Sequence, residues 1–306
     1  MFGARLASDQ TSTLVEGAKG KSVPASKAME TVWFITNPNS GSTSREKCDA
    51  IEALFIQHGL TLGGRTLFPD NSLPEPEALD AAGVDTVVLF AGDGTINTTL
   101  CKLANWDGAF LILPGGTMNL LAKALHAELD PAKIIESALK SNQRVALPYV
   151  EAGSHRAFVG LILGPAGHWV NAREAVRKGR FDRVVPAIRL AWRSTFGNGV
   201  RVSGAAGLRD RYQAVLISPA PGKGLDVAAI EARDWGSIAE LGWDWLTGDW
   251  VAARAVTKTQ ADQLRVQGKR GVHALFDGEP VTLDPGVHIV SGATPPGFIV
   301  TRVETP

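Results

Sequence analysis

Two apolar runs that each end in glycine constrain this chain more than any other feature. Thr86–Phe90 leads into Ala91-Gly92-Asp93-Gly94-Thr95, and Ala109–Leu113 leads into Pro114-Gly115-Gly116-Thr117-Met118-Asn119. Short continuous apolar runs of this kind read as strands buried on both faces, as parallel sheets require. Ile96–Ala104 and Leu120–His126 then read as helices. Strand, glycine turn and helix together bring backbone N–H groups and a helix N-terminus up to a phosphate. Taken alone, Gly-Asp-Gly can be just a tight turn. Its echo after a second strand favours a nucleotide site at the C-terminal edge of the sheet.

A chain of 306 residues has room for two domains and a sizeable core. With 31 basic and 31 acidic side chains its formal charge is zero, so no global field favours nucleic acid. Two cysteines, Cys48 and Cys101, exclude a disulfide framework and fit a reducing cytoplasm. No apolar run approaches the roughly 18–20 residues of a membrane span. Residues 1–28 are rich in small, polar and basic types without the apolar stretch of a secretory signal, and read as a disordered tail. The expected location is cytoplasmic, with peripheral docking on the membrane allowed.

Residues 29–147 alternate strand and helix, which argues an α/β domain with a parallel sheet. Thr31–Thr36 is a first strand ending in Asn37-Pro38-Asn39-Ser40-Gly41. Thr43 with Glu46 has capping-box spacing and would start a helix through His58. Arg65–Phe68 reads as a short strand and Pro76–Ala82 as a short helix. Residues 148–306 change texture to short, glycine-punctuated β segments, which read as an all-β sandwich or barrel with a helical insertion near 170–195. Among these segments are Ala157–Leu163, Tyr212–Ser218, Leu225–Ile230 and Val281–Leu283.

Four blocks occur in order: Asn37-Pro38-Asn39-Ser40-Gly41, Gly92-Asp93-Gly94-Thr95, Pro114-Gly115-Gly116-Thr117-Met118-Asn119 and Asp277-Gly278-Glu279-Pro280. In this order the chain, from about residue 30 to 291, resembles the diacylglycerol kinase catalytic family, which includes bacterial diacylglycerol, sphingosine and ceramide kinases. The resemblance implies an ATP- and Mg²⁺-dependent transfer of phosphate to a hydroxyl of a membrane lipid, in a cleft between the two domains. It places Asn37 and Ser40 near the phosphates and Thr66 beside the nucleotide. Ala91, Gly92, Asp93, Gly94, Thr95, Ile96 and Asn97 would form the main ATP loop, with Gly116, Thr117 and Asn119 closing it. Asp277 and Glu279 would be the acidic pair that deprotonates the lipid hydroxyl.

The residue chemistry agrees with these assignments. Glycines at 92 and 94 allow positive φ and close approach of the backbone to phosphate. Asp93 repels phosphate, so it makes sense as a holder of Mg²⁺ through water, or as an acceptor for nucleotide hydroxyls or turn N–H groups. Asp277 and Glu279 lie two apart and would share a face if the segment is extended. The same Asp-Gly pair is also the favoured type I′ hairpin turn.

Several acids of the family pattern are replaced. Leu120 follows Asn119, Thr98 follows Asn97, Pro148 or Tyr149 stands at the crossover with Glu151 nearby, and Lys223 precedes Gly224. The shared Gly-Asp-Gly-Thr turn leaves a NAD kinase-like enzyme as an alternative, and the replaced acids leave a catalytically inactive lipid-binding member of the family as another. No metal ligand is assigned, and the six histidines show no ligand spacing.

Arg173, Arg177, Lys178, Arg180, Arg183, Arg189 and Arg193, interleaved with Trp169, Phe181, Trp192 and Phe196, read as a solvated helix or as a surface for anionic lipid. Trp235, Trp243, Trp245 and Trp250 read as core or as a lipid-facing rim. The expected partner is a membrane lipid and not nucleic acid; a homodimer is allowed.

Overall fold

The computed structural model describes residues 28–117, 119–141, 143–164, 199–208, 211–220, 224–230 and 256–302. The N-terminal tail, Met118, the basic segment 173–193, Lys223 and the four tryptophans between 235 and 250 lie outside the described residues. The chain divides into two units. One is Pro148–Gly292, and the other joins Ala18–Leu147 to Ala293–Pro306.

The first unit is α/β. Strands β1 (Thr31–Thr36), β2 (Thr61–Leu67), β3 (Thr86–Ala91) and β4 (Ala109–Pro114) pair in parallel in the order β2-β1-β3-β4. Every residue of β3 and β4 is buried, as expected for strands covered on both faces. Helices α1 (Arg45–Gln57), α2 (Pro76–Ala81), α3 (Asp93–Lys102), α4 (Leu120–Leu125) and α5 (Pro131–Ser141) make the crossovers. Helix α1 buries Ile51 and Phe55, and Phe55 meets Phe34 of β1 edge-to-face at 5.4 Å.

Two details differ from the sequence reading. The cap of α1 is Ser44, whose hydroxyl accepts from the Lys47 N–H at 3.3 Å. Thr43 is buried, and its hydroxyl instead donates to the Gly115 carbonyl at 3.0 Å. Strand β2 begins at Thr61 rather than Arg65, because Gly63 and Gly64 are part of it. A Cβ on Gly64 would lie 2.3 Å from the Trp33 ring, so the glycine makes room for the indole.

The sheet is completed from the far end of the chain. Strand β5 (Gln143–Val145) pairs antiparallel with β17 (Phe298–Val300), and β17 lies parallel to β4. Residues 298–300, assigned from sequence to the second domain, thus belong to the first sheet. A three-residue strand after a proline-rich stretch carries no signal of which sheet it joins.

The second unit is all-β. One sheet runs β12 (Val256–Ala261), β11 (Leu225–Ile230), β10 (Ala214–Pro219), β8 (Leu161–Leu163), β14 (Val272–Phe276) and β15 (Glu279–Leu283). The other runs β7 (His155–Ala157), β6 (Pro148–Ala152), β16 (His288–Ala293), β13 (Gln263–Gln267) and β9 (Arg201–Ser203). Strands β10 and β11 alternate buried and half-buried residues, so each presents one face to a core. Leu161, Val215, Ile217 and Val227 of the first sheet pack in that core with Val150, Leu264 and Ile289 of the second, giving a sandwich.

His126 fixes the return of the chain to the first sheet. It is 2% exposed, with Nε2 2.9 Å from the Ile112 carbonyl and Nδ1 3.0 Å from the Thr301 hydroxyl. A carbonyl only accepts, so Nε2 carries the proton and Nδ1 accepts from Thr301. Burial pulls the imidazole from its ordinary 6.5 down to about 4. The unfolded chain therefore binds a proton more readily than the folded one. Stability is complete above pH 6.5 and falls as pH drops toward 4, by about 3 kcal/mol. Urea unfolding at pH 7 and pH 4.5 checks this, and a His126→Gln variant should flatten the difference.

Candidate nucleotide site

The two glycine turns and the loop after β1 meet at the C-terminal edge of the first sheet. Their contact explains the glycines better than backbone conformation does. Gly92 has φ −80°, and Gly94 lies within the first turn of α3, so neither needs positive φ. Close approach is the constraint. A Cβ on Gly116 would lie 2.7 Å from the Gly92 Cα, and one on Gly115 would lie 2.5 Å from the Ala91 nitrogen. The turns are back to back with no room for a side chain between them.

The loop after β1 ties them. Ser40 Oγ accepts from the Gly92 N–H at 3.0 Å, and Asn37 Nδ2 donates to Thr95 Oγ1 at 2.8 Å. Asn37 Oδ1 in turn accepts from the Asn39 N–H at 2.9 Å. Ser42 reaches the second turn, its N–H donating to the Gly115 carbonyl at 3.2 Å and its hydroxyl to the Gly116 carbonyl at 3.0 Å. Gly41 lies against Thr117, where an added Cβ would be 2.7 Å from Oγ1. Ser42, Thr43 and Gly115 brace the site although none was among the candidate nucleotide residues. Hydroxyls after a turn are too common for spacing alone to mark them.

Asp93 has a definite partner. Its Oδ1 accepts from the Leu120 N–H, the first of α4, at 2.8 Å. Helix α4 needs this, because Asn119 sits in the left-handed region (φ 51°) and turns its Oδ1 back to the Gly116 N–H at 2.7 Å. Asp93 therefore caps α4 from the neighbouring turn, with its charge at the favourable end of the helix. Of the roles open for Asp93 in sequence, accepting from a turn N–H is present.

The N–H groups of Gly92, Gly116 and Leu120 are thus engaged within the protein. Those of Asp93, Gly94 and Thr95, in the first turn of α3, have no intrahelical partner and are the natural donors to an anion. Among the sequence candidates, Asn37, Ser40, Gly92, Asp93, Gly94, Thr95, Gly116, Thr117 and Asn119 come together here. Ala91, Ile96 and Asn97 are buried behind the turn. Thr66 stands apart on β2, 2% exposed, and its hydroxyl oxygen accepts from the Trp33 indole N–H at 3.0 Å.

The acidic candidates lie in the second unit, and their geometry departs from the extended segment expected. Asp277 (φ 49°) and Gly278 (φ 94°) both have positive φ and join β14 to β15, with Phe276 paired to Glu279. This is a two-residue hairpin turn of the type I′ class, so the alternation that would put Asp277 and Glu279 on one face does not apply.

Asp277 is also fully engaged. Its Oδ2 accepts from the Phe158 N–H at 2.8 Å, and its Oδ1 from the Val159 and Gly160 N–H groups, each at 2.9 Å. These bonds hold a turn that splits the single strand read over Ala157–Leu163 into β7 and β8. Both carboxylate oxygens are thus committed to the backbone of residues 158–160. Glu279 is exposed, at the first position of β15. At the crossover, the Tyr149 ring carries the Arg156 guanidinium at 4.5 Å, and Arg156 also pairs with Glu151 at 2.6 Å. Among the described residues, no group of three His, Cys, Asp or Glu side chains could hold a metal ion.

Two glycine turns are thus cross-braced at the C-terminal edge of a parallel α/β sheet. Residues 31–147 match the family described as diacylglycerol kinase catalytic domain. No curated protein sequence matches the chain. In fold it is similar to a presumptive diacylglycerol kinase from Bacillus anthracis strain Sterne, at 16% identity and a TM-score of 0.61, covering 89% of this chain and 97% of that one. It is also similar to a diacylglycerol kinase from the same organism, at 14% identity, a TM-score of 0.56 and the same coverage. No helix among the described residues is long and apolar enough to cross a membrane.

Proposed function

We propose that this chain is an ATP- and Mg²⁺-dependent lipid kinase, transferring the γ-phosphate to a hydroxyl of a diacylglycerol, sphingoid or ceramide lipid. The observation that carries the reading is the pair of braced glycine turns within a segment that matches the diacylglycerol kinase catalytic domain. Phosphoryl transfer asks little covalent chemistry of a protein, so positioning, charge and one base suffice. The α3 N-terminus receives phosphate, and Asp93 keeps the second turn in register. When bound, magnesium would neutralise phosphate charge. Asp93 fits it, since Oδ2 is a hard oxygen beside the phosphate donors while Oδ1 is committed to Leu120.

Glu279 is the residue assigned to accept the proton of the lipid hydroxyl. Asp277 serves as the anchor of the hairpin that presents it. Glu279→Gln should lower turnover about a hundredfold with little change in Tm. The measurement is phosphate transfer from radiolabelled ATP to micellar diacylglycerol, ceramide, sphingosine and monoacylglycerol, beside a lipid-free control with NAD. Undiminished turnover in the variant would remove Glu279 from the chemistry. Phosphorylation of NAD alone would replace the lipid kinase reading.

A further inference from the structure

The loop that braces the two turns also holds a cation that no role above uses. Lys47, in the first turn of α1, is exposed and folds back so that Nζ donates to the Ser42 carbonyl at 2.9 Å. Ser42 is the residue whose N–H and hydroxyl bond the Gly115 and Gly116 carbonyls. The ammonium is therefore tethered to the strap across the second glycine turn. Its partner is a neutral carbonyl, and no carboxylate of the described residues forms an ion pair with it. An ammonium has three donors, so two remain for another ligand.

Its position runs against helix electrostatics. A helix N-terminus favours negative side chains, and a cation there costs a few tenths of a kcal/mol or more. Glu46 follows the rule, while Arg45 and Lys47 break it. A cation held at the positive end of a helix and tethered through Ser42 to the strap on the second glycine turn is placed for a strong anion. We infer that Lys47 binds the outer phosphates of the nucleotide, leaving or sharing its Ser42 tether when they arrive. The flexible four-carbon stem and compact charge suit this reach. This inference rests on the nucleotide-binding part of the proposed function.

The test is calorimetric titration of the full-length protein with ATP, ADP and AMP, comparing wild type, Lys47→Met and Lys47→Arg at fixed salt. Loss of one charge-assisted contact should weaken ATP about tenfold in Lys47→Met. AMP, which lacks the outer phosphates, should change less than about twofold, and Lys47→Arg should recover most of the ATP affinity. Equal ATP affinity in wild type and Lys47→Met overturns the inference. So does equal weakening for AMP and ATP with a lowered Tm, which would make Lys47 a structural tether. If wild type binds none of the three nucleotides, the kinase reading itself fails, an outcome distinct from retained binding in the variant.

Discussion

Replacing Asp93 with alanine should lower phosphoryl transfer about a thousandfold while the protein remains folded. The structure separates two contributions that the sequence could not. Oδ1 caps α4 through the Leu120 N–H, a bond that keeps the second glycine turn against the first. Asn119 cannot replace it, because its own side chain is spent on Gly116. Losing such a cap costs about 1 kcal/mol, which lowers Tm by a few degrees in a unit of this size. On the proposed nucleotide reading, the rest of the loss would come from charge beside the phosphates, and from misplacement of the turn that Gly116 and Thr117 occupy. Asp93→Asn isolates the two. The amide oxygen can still accept from Leu120, so Tm should return close to wild type, while activity should stay low because the carboxylate is gone. Thermal melts and the lipid kinase assay on both variants check this. Full activity in Asp93→Asn would reduce Asp93 to a helix cap.

The legible part of this protein is what backbone chemistry forces into composition. Two buried strands ending in glycine announced the sheet edge and the turns, and the structure puts Gly92 and Gly116 in direct contact there. The reason for the glycines was not legible, since crowding between residues 24 apart leaves no local trace. Gly63 and Gly64 hid the start of β2, because glycine weakens a strand pattern unless the overlying Trp33 ring is known. Thr43 looked like a cap because caps and loop straps use the same hydroxyl; only its burial against Gly115 tells them apart. For the acidic pair the hairpin alternative is the one present. Two-residue spacing implies a shared face only on a strand, and the positive φ of Asp277 is set by the hairpin it closes.

The bonds of Asp277 span 117 to 119 residues, and they lead to the second large effect. Asp277→Ala should destabilise the protein by about 3 kcal/mol or more. Three part-buried N–H groups lose their acceptor, each costing about 1 kcal/mol when left unpaired. Alanine must also adopt φ 49°, a left-handed conformation costing roughly 1 kcal/mol outside Gly, Asn and Asp. Asp277→Asn tolerates that φ and keeps one oxygen for Val159 and Gly160, while its NH₂ meets the Phe158 N–H donor to donor. It should therefore fall between wild type and alanine in urea unfolding. The asparagine variant also decides the chemistry. If Asp277 is the anchor and Glu279 the base, Asp277→Asn keeps turnover within about tenfold of wild type, whereas Glu279→Gln loses about a hundredfold. An Asp277→Asn protein as stable as wild type yet inactive would reverse the two roles and return the proton to Asp277.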